Sequence, residues 1–393
     1  MRVALRVTRY NRCSLPALAA VLETELRPGT VDCRTVPGIA ELNASDLVVY
    51  SFSSGEVESV ADEMRTLRKR VGDRLFAIAG GPHPSARPDQ VLDMGFRWAA
   101  VGEAGPGFAG LVAELAAGTV PAGGVIREST LDDLDRYPPW PRTGKLFAPI
   151  EISRGCPVGC AFCQTPTLFG KRMRHRSPSA IGPALRRAVE TGNTYTRFVT
   201  PNAFAYGSAD GRTPHPRRVE ELLVTARASG MQRVFFGTFP SEVRPESVTA
   251  ELLGIVRDHC DNKSIAIGMQ SGSPRLLQAI RRGHTVQQAV AAVEAIAHAG
   301  FRPRVDFILG LPGETDDDRA KTREVVRRLV ESFDARIHAH LFVPLPGTPL
   351  AGQSPSEIDP QSRAMIEELT GRGYVAGVKR RGRWTRLDQD DED

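Results

Sequence analysis

The stretch Ile152-Ser153-Arg154-Gly155-Cys156-Pro157-Val158-Gly159-Cys160-Ala161-Phe162-Cys163-Gln164 decides the reading of this chain. It continues an apolar segment, Pro149 to Ser153, whose length suits a strand. Three of the six cysteines fall here, spaced Cys-x3-Cys-x2-Cys, while Cys13, Cys33 and Cys260 stand alone. Three thiolates on one short loop can hold three corners of a cubane iron–sulfur cluster, which leaves the fourth iron without a nearby protein ligand. An open position is what a reactive metal centre needs, whereas a structural site is closed. Zinc is the competing occupant; it would want a fourth ligand, for which His175 is the nearby candidate. Cys156, Cys160 and Cys163 are therefore the expected metal ligands. Gly155 and Gly159 let the loop wrap tightly, and Phe162 would shield the centre and offer an edge to a bound ligand.

Outward from this loop the chain alternates. Strand candidates are Pro149–Ser153, Thr196–Thr200, Arg233–Gly237, Ser264–Met269, Arg304–Leu309 and Arg336–Val343. Helical patterns separate them, several opening on Pro and closing on Gly192, Gly230 or Gly300. About six βα units are fewer than the eight of a closed barrel, so an open, partial barrel is expected over 149–350. Functional residues should lie at the C-terminal ends of its strands.

The first 125 residues alternate in the same way. Val3–Val7, Leu47–Phe52, Arg74–Ala79 and Trp98–Val101 read as strands. Leu15–Leu26, Val57–Val71, Pro88–Met94 and Gly107–Ala117 read as helices. The pattern predicts a Rossmann-like, doubly wound parallel sheet, with ligands beyond the carboxyl ends of its strands. Those ends carry Ser51 to Gly55 (Ser53 among them), Gly80, Gly81 and His83, then Gly102 and Glu103. No glycine-rich dinucleotide fingerprint follows the first strand, which argues against a simple NAD-binding domain. The stretch from about 121 to 148, with Pro121, Gly123, Gly124, Pro138, Pro139, Pro141 and Gly144, reads as a packed linker, assigned to 126–148 between the two domains. Residues 351–393 read as a C-terminal extension with one helix at Asp359–Thr370, a basic run and an acidic end, Asp388–Asp393, expected to be solvated. The fold class is thus α/β: a Rossmann-like sheet, then a partial (β/α)6 barrel and a short tail.

Composition narrows the setting. The chain has 393 residues, 41% hydrophobic and 25% charged, which excludes a mostly disordered chain or a small disulfide scaffold. No apolar run is long enough to span a membrane, and the arginine-broken N-terminus lacks a signal peptide's apolar stretch. A cytoplasmic location, where thiols stay reduced, is the expectation. The net charge of +5 reflects arginine usage spread along the chain rather than a nucleic-acid surface.

With its strand and spacing, Arg154-Gly155-Cys156 to Cys160 to Phe162-Cys163 resembles the radical S-adenosylmethionine (SAM) superfamily. The resemblance implies that a 4Fe-4S cluster's open iron chelates SAM and that one electron cleaves SAM to a 5'-deoxyadenosyl radical. A donor such as flavodoxin or ferredoxin would be the partner. Asp306 to Thr315 resembles the fifth-strand motif of the methylthiotransferase-like branch, where backbone near Ile308 and Gly310 meets adenine. Gly268-Met269-Gln270-Ser271, followed by Arg281-Arg282-Gly283, resembles the fourth-strand segment. The resemblance assigns Gln270 and Ser271 to the ribose side and Arg282 to the SAM carboxylate; a plain helix-end arginine is the alternative. The second-strand loop departs from the usual Gly-Gly-Glu, leaving Thr200 and Asn202 as substitutes. Glu242 and Arg244 face either SAM and substrate or form a surface ion pair.

A doubly wound domain before such a barrel resembles the cobalamin-binding subclass, in which Ser53, Gly80, Gly81, His83, Gly102 and Glu103 would meet the corrin. No Asp-x-His-x-x-Gly motif is present to place a histidine under cobalt. The resemblance implies a cobalamin-dependent methyltransferase acting on an unactivated carbon. Open alternatives are a radical SAM enzyme of another type (rearrangement, ring formation or sulfur insertion) that does not use cobalamin, or a non-enzymatic sensor. Isolated Cys13, Cys33 and Cys260 disfavour sulfur insertion, which brings a second cluster. The substrate and the catalytic residues are not readable from the sequence.

Overall fold

The N-terminal strands are β1 (Arg2–Arg6), β2 (Asp32–Val36), β3 (Asp46–Ser51), β4 (Phe76–Gly80), β5 (Trp98–Val101) and β6 (Gly124–Arg127). All six residues of β3 are buried, so it must be covered on both faces. The cover comes from helices α1 (Ser14–Glu25) and α5 (Pro106–Ala116) on one side. On the other lie α2 (Val57–Val71), α3 (Pro82–Ala86) and α4 (Pro88–Asp93). Alternate residues divide accordingly. Val3, Leu47, Val49 and Ile78 pack with Leu15, Phe108 and Val112. Ala4, Val48, Tyr50 and Ala77 pack with Val60, Met64 and Val91. The sheet is wholly parallel, in the order β2-β1-β3-β4-β5-β6.

The expected doubly wound sheet is therefore present, with additions. The segment of β2 carries an aspartate and an arginine on an edge, so it has no apolar run to betray it. The strand β6 falls within the Pro- and Gly-rich stretch and carries the sheet to residue 127. The remaining linker is packed: Trp140 is buried, donates its indole N–H to Ala148 O at 2.9 Å and meets Phe147 edge-on at 5.0 Å.

The second unit opens with β7 (Ile150–Glu151) and a small antiparallel hairpin of β8 (Ser153–Arg154) and β9 (Arg174–His175). Helix α6 (Thr165–Phe169) lies between the hairpin strands. Four further strands follow: β10 (Tyr195–Val199), β11 (Arg233–Phe235), β12 (Ser264–Gln270) and β13 (Arg302–Leu309). Then come β14 (Arg336–Leu341) and β15 (Val375–Ala376). Helices α7 (Pro178–Glu190), α8 (Pro216–Ala228), α9 (Ala250–His259), α10 (Pro274–Ala279), α11 (Val286–His298) and α12 (Asp316–Phe333) alternate with them, and α13 (Pro360–Gly371) precedes β15. The parallel order β7-β10-β11 continues into β12-β13-β14-β15 through a single bridge, Val243 to Ile267. The six expected strands are present, and the extension beyond 350 adds β15 as a seventh, parallel to β14. Among the described residues β7 and β15 each have one sheet neighbour, so the barrel stays open.

The structure, a computed structural model, describes residues 1–376 apart from Arg9, with the strands Lys379–Arg380 and Arg383–Trp384. The acidic end expected at Asp388–Asp393 lies outside the described residues. No helix among them is long and apolar enough to cross a membrane.

One buried carboxylate joins the two units. Glu103, in the loop after β5, binds Arg174 through both oxygens at 2.7 and 3.1 Å and Arg154 at 2.8 Å. Side-chain exposures of 1% for Glu103 and 4% for Arg174 mean that water cannot replace these partners. Arg174 also donates to Leu131 O and Phe169 O, and Arg154 pairs with Glu151. Removing one partner strands the others in a dry interior. We expect Glu103→Ala to lower stability by about 3–5 kcal/mol. Urea denaturation reads this, and an unchanged midpoint would show that the junction stands without it.

Candidate functional site

The cysteine loop, residues 155–164, sits between the strands of the β8–β9 hairpin. Gly155 has φ +85°, and a Cβ there would collide with Arg172 O, so the turn into the loop needs glycine. The Cys156 N–H donates to Gly170 O at 3.1 Å and the Ala161 N–H to Ile280 O at 2.9 Å, which pins the loop at both ends. Cys156 and Cys160 are buried and Cys163 is partly so. All three line a cavity of about 840 Å³.

The zinc alternative finds no fourth ligand in His175. Its Nδ1 lies 2.8 Å from Ser153 Oγ and its Nε2 lies 3.0 Å from Ser208 O. Two guanidiniums face the cysteines instead: Arg282 Nη1 is 3.5 Å and Arg244 Nη1 3.8 Å from Cys160 Sγ. Two cationic donors beside a sulfur suit the negative charge of a thiolate-ligated cluster. The donor set therefore fits a three-cysteine cluster.

The same cavity holds Phe162, Thr200, Glu242, Gln270, Arg282 and Ile308 from the barrel strand ends, and Ser53 from the N-terminal unit. Arg282 is 7% exposed and donates to Gly268 O at 2.8 Å, so it is no helix-end surface arginine. The surface ion pair considered for Glu242 and Arg244 is likewise not formed. Arg244 is buried against Glu246 at 2.5 Å. Glu242 faces Asp306, and burial, with that carboxylate beside it, pushes its pKa well up. Burial would also raise Asp306, but His338 and His340 hold it below the usual carboxylate range. His284, buried beside Arg282, is pushed down to about 4 and stays neutral. The wall thus offers cations and acids together, a match for a zwitterionic ligand.

Other expected positions lie elsewhere. Asn202 is buried beneath the site, its Oδ1 accepting from the Arg244 N–H at 3.2 Å and Ser247 Oγ at 3.1 Å. Ser271 Oγ accepts from the Ser273 N–H at 3.1 Å, next to α12. The close approach that Gly310 permits is to Ser356 O, which a Cβ would meet at 2.8 Å. Gly80, Gly81, Gly102 and Glu103 line a separate pocket of about 50 Å³. There Gly81 and Gly102 make room for the chain's own backbone, at Phe52 and Glu128. His83 is 3% exposed, stacks on Phe52 at 5.6 Å and sits 3.0 Å from Ser54 Oγ, away from the large cavity.

Sequence reasoning did not single out Tyr10, Asp306 or His340, which also line the cavity, as does Gly55 from the expected strand-end loop Ser51 to Gly55. Asp306 and His340 carried a signal, a charged or polar residue inside an otherwise apolar strand. Tyr10 carried none, because only the sheet order brings the loops after β1 and β3 together. Gln270 adopts φ +76° at a bulge between β12 and β13, which turns its side chain into the site.

Comparison with known proteins agrees with this geometry. Residues 150–326 match the Radical SAM superfamily. A protein of Methanopyrus kandleri, MK0932, is 30% identical over 239 residues, 59% of this chain and 44% of its own length. The tRNA-2-methylthio-N(6)-dimethylallyladenosine synthase of Mycobacterium bovis is 32% identical over 249 residues, 60% of this chain and 47% of its own. The chain thus spans under half the length of these relatives. Among solved structures, TsrM of Kitasatospora setae, a radical SAM methyltransferase with cobalamin and a [4Fe-4S] cluster bound, has the same fold. It matches with TM-score 0.63, 16% identity, 89% of this chain and 73% of that one. The cobalamin-dependent radical enzyme OxsB matches with TM-score 0.62, 15% identity, 83% of this chain and 52% of that one.

Gly268 is a tight point in the cavity wall. A Cβ there would lie 2.6 Å from Glu242 Oε2 and 2.7 Å from Gln270 Nε2, and would press on the Arg282 guanidinium. Gly268→Ala should cost about 1–3 kcal/mol through overpacking. Thermal unfolding checks this, and a variant as stable as the parent would show that Arg282 and Glu242 are not held as described.

Proposed function

This chain belongs to the radical SAM superfamily through residues 150–326, and on that premise we propose that it is a cobalamin-dependent methyltransferase acting on an unactivated carbon. One observation carries the reading. In an open parallel sheet a ligand binds outside the carboxyl ends of the strands, where the strand order reverses. Here that point lies between β1 and β3, and the loops after those two strands supply Tyr10, Ser53 and Gly55 to the cavity that holds the cysteines. Two binding faces share one space, and about 840 Å³ lies at the large end of the roughly 300–1,000 Å³ of small-molecule sites.

Bound there, a [4Fe-4S] cluster would supply the electron that cleaves SAM, and a corrin would supply the methyl group. Cys156, Cys160 and Cys163 would hold the cluster. Arg282 is placed for the carboxylate of SAM, Glu242 and Gln270 for its polar groups, and Phe162 and Ile308 for its apolar surface. Ser53, Gly55 and Tyr10 would face the corrin without a histidine under cobalt, since His83 is buried away from the cavity. An electron donor such as flavodoxin or ferredoxin completes the reading. Sulfur insertion, suggested by the methylthiotransferase relatives, finds less support. Cys33 lies in β2 of the N-terminal sheet and Cys260 caps α9 in the barrel, so they do not form a second cluster loop.

Protein purified with added cobalamin should retain corrin absorption and, once reduced, convert SAM to 5'-deoxyadenosine. Cys156→Ala should abolish that cleavage while corrin retention persists. Full cleavage by the variant would overturn the cluster assignment, and absence of corrin from the parent would overturn the cobalamin half.

A further inference from the structure

The barrel wall opposite the cysteines carries a group of side chains that the proposed cofactors do not use. Asp306 on β13 pairs in register with His338 on β14, and His340 follows two residues on, on the same face. His338 Nδ1 lies 3.0 Å and His340 Nε2 3.8 Å from Asp306 Oδ1. One ligand atom from each residue falls within 4.8 Å of the others. The two imidazoles meet edge to face with centroids 4.1 Å apart.

We propose that Asp306, His338 and His340 form a divalent transition-metal site that opens on the cavity. Metal bonds of about 2.0–2.2 Å at right to tetrahedral angles separate ligand atoms by roughly 3.0–3.5 Å. The 3.0 Å from Asp306 Oδ1 to His338 Nδ1 lies in that range and the 3.8 Å to His340 Nε2 just beyond it, so closure needs the His340 ring to move inward. The strand β13 fixes Asp306 and the adjacent β14 fixes both histidines, which is the rigid support a metal site requires. Two imidazoles and one carboxylate select Fe²⁺, Co²⁺ or Zn²⁺ over Mg²⁺ and Ca²⁺, and such a set leaves coordination positions open. The open side faces inward. Asp306 and His340 both line the cavity, and side-chain exposures of 32% and 45% leave the imidazoles within reach of solvent metal. The free positions would take water or an oxygen or nitrogen donor of the substrate, anchoring it across from the cysteine loop.

The test uses the full chain, reconstituted with iron and sulfide, desalted and titrated with Co²⁺ under anaerobic conditions. Retention of one equivalent, with d–d bands and no thiolate charge-transfer band, is the expected result. His338→Ala and His340→Gln should each weaken retention by at least about tenfold. His340 is the most exposed of the three, so His340→Gln serves if His338→Ala does not fold. The proposal is overturned if Co²⁺ is not retained or if a folded variant retains it as the parent does. It is equally overturned if a thiolate band shows the cysteine loop to be the binder, because the carboxylate and imidazoles then form an ordinary hydrogen-bonded cluster. Corrin retention and SAM cleavage are read separately, so failure here is distinct from failure of the proposed function.

Discussion

The Glu103 carboxylate, shared between Arg174 and Arg154, is the contact on which the arrangement of the two units rests. Burying three charges costs several kcal/mol per ion unless each is fully partnered. Here most of the partners are present: both oxygens of Glu103 are bound, Arg174 reaches two backbone carbonyls through its terminal nitrogens while its Nε has no partner, and Arg154 has Glu151 as well. Because the network is directional, it fixes angle as well as distance. The two arginines sit on the hairpin strands from which the cysteine loop projects, so the clamp sets where the cysteines lie relative to the N-terminal sheet.

That placement explains the charge distribution in the cavity. Arg282 and Arg244 press against Cys160, and Glu242 and Asp306 stand near them in the same wall. A buried cation is tolerable beside thiolates, and a buried acid is tolerable when it stays protonated or finds cationic neighbours. Gly268 lets these side chains approach, since any side chain there would occupy their space. The site is therefore a balanced set, and moving one member disturbs the solvation of the rest.

Much of this was legible in the sequence. The cysteine spacing and the alternation of both units followed from local pattern, while Gln270 and Arg282 were picked out only through the family resemblance. What stayed hidden depends on long-range pairing. Glu103 looked like a loop residue awaiting a ligand, and its partners lie 51 and 71 residues away. Gly81, Gly102 and Gly310 suggested ligand approach, but the structure brings their own chain that close. The edge strand β2 and the two-residue β15 lack an apolar run, and without β2 the reversal of strand order cannot be seen.

That reversal sets how the two units meet. A doubly wound sheet and a parallel barrel each expose their binding groups at the carboxyl ends of their strands. If the units faced apart, each would keep its own shallow, wet cleft. Facing together, they share one cavity, which the loops after β1 and β3 line beside the cysteines and the charged wall. A ligand bound there would displace water and so strengthen every electrostatic contact around it. The Glu103 clamp keeps the two sets of loops in register.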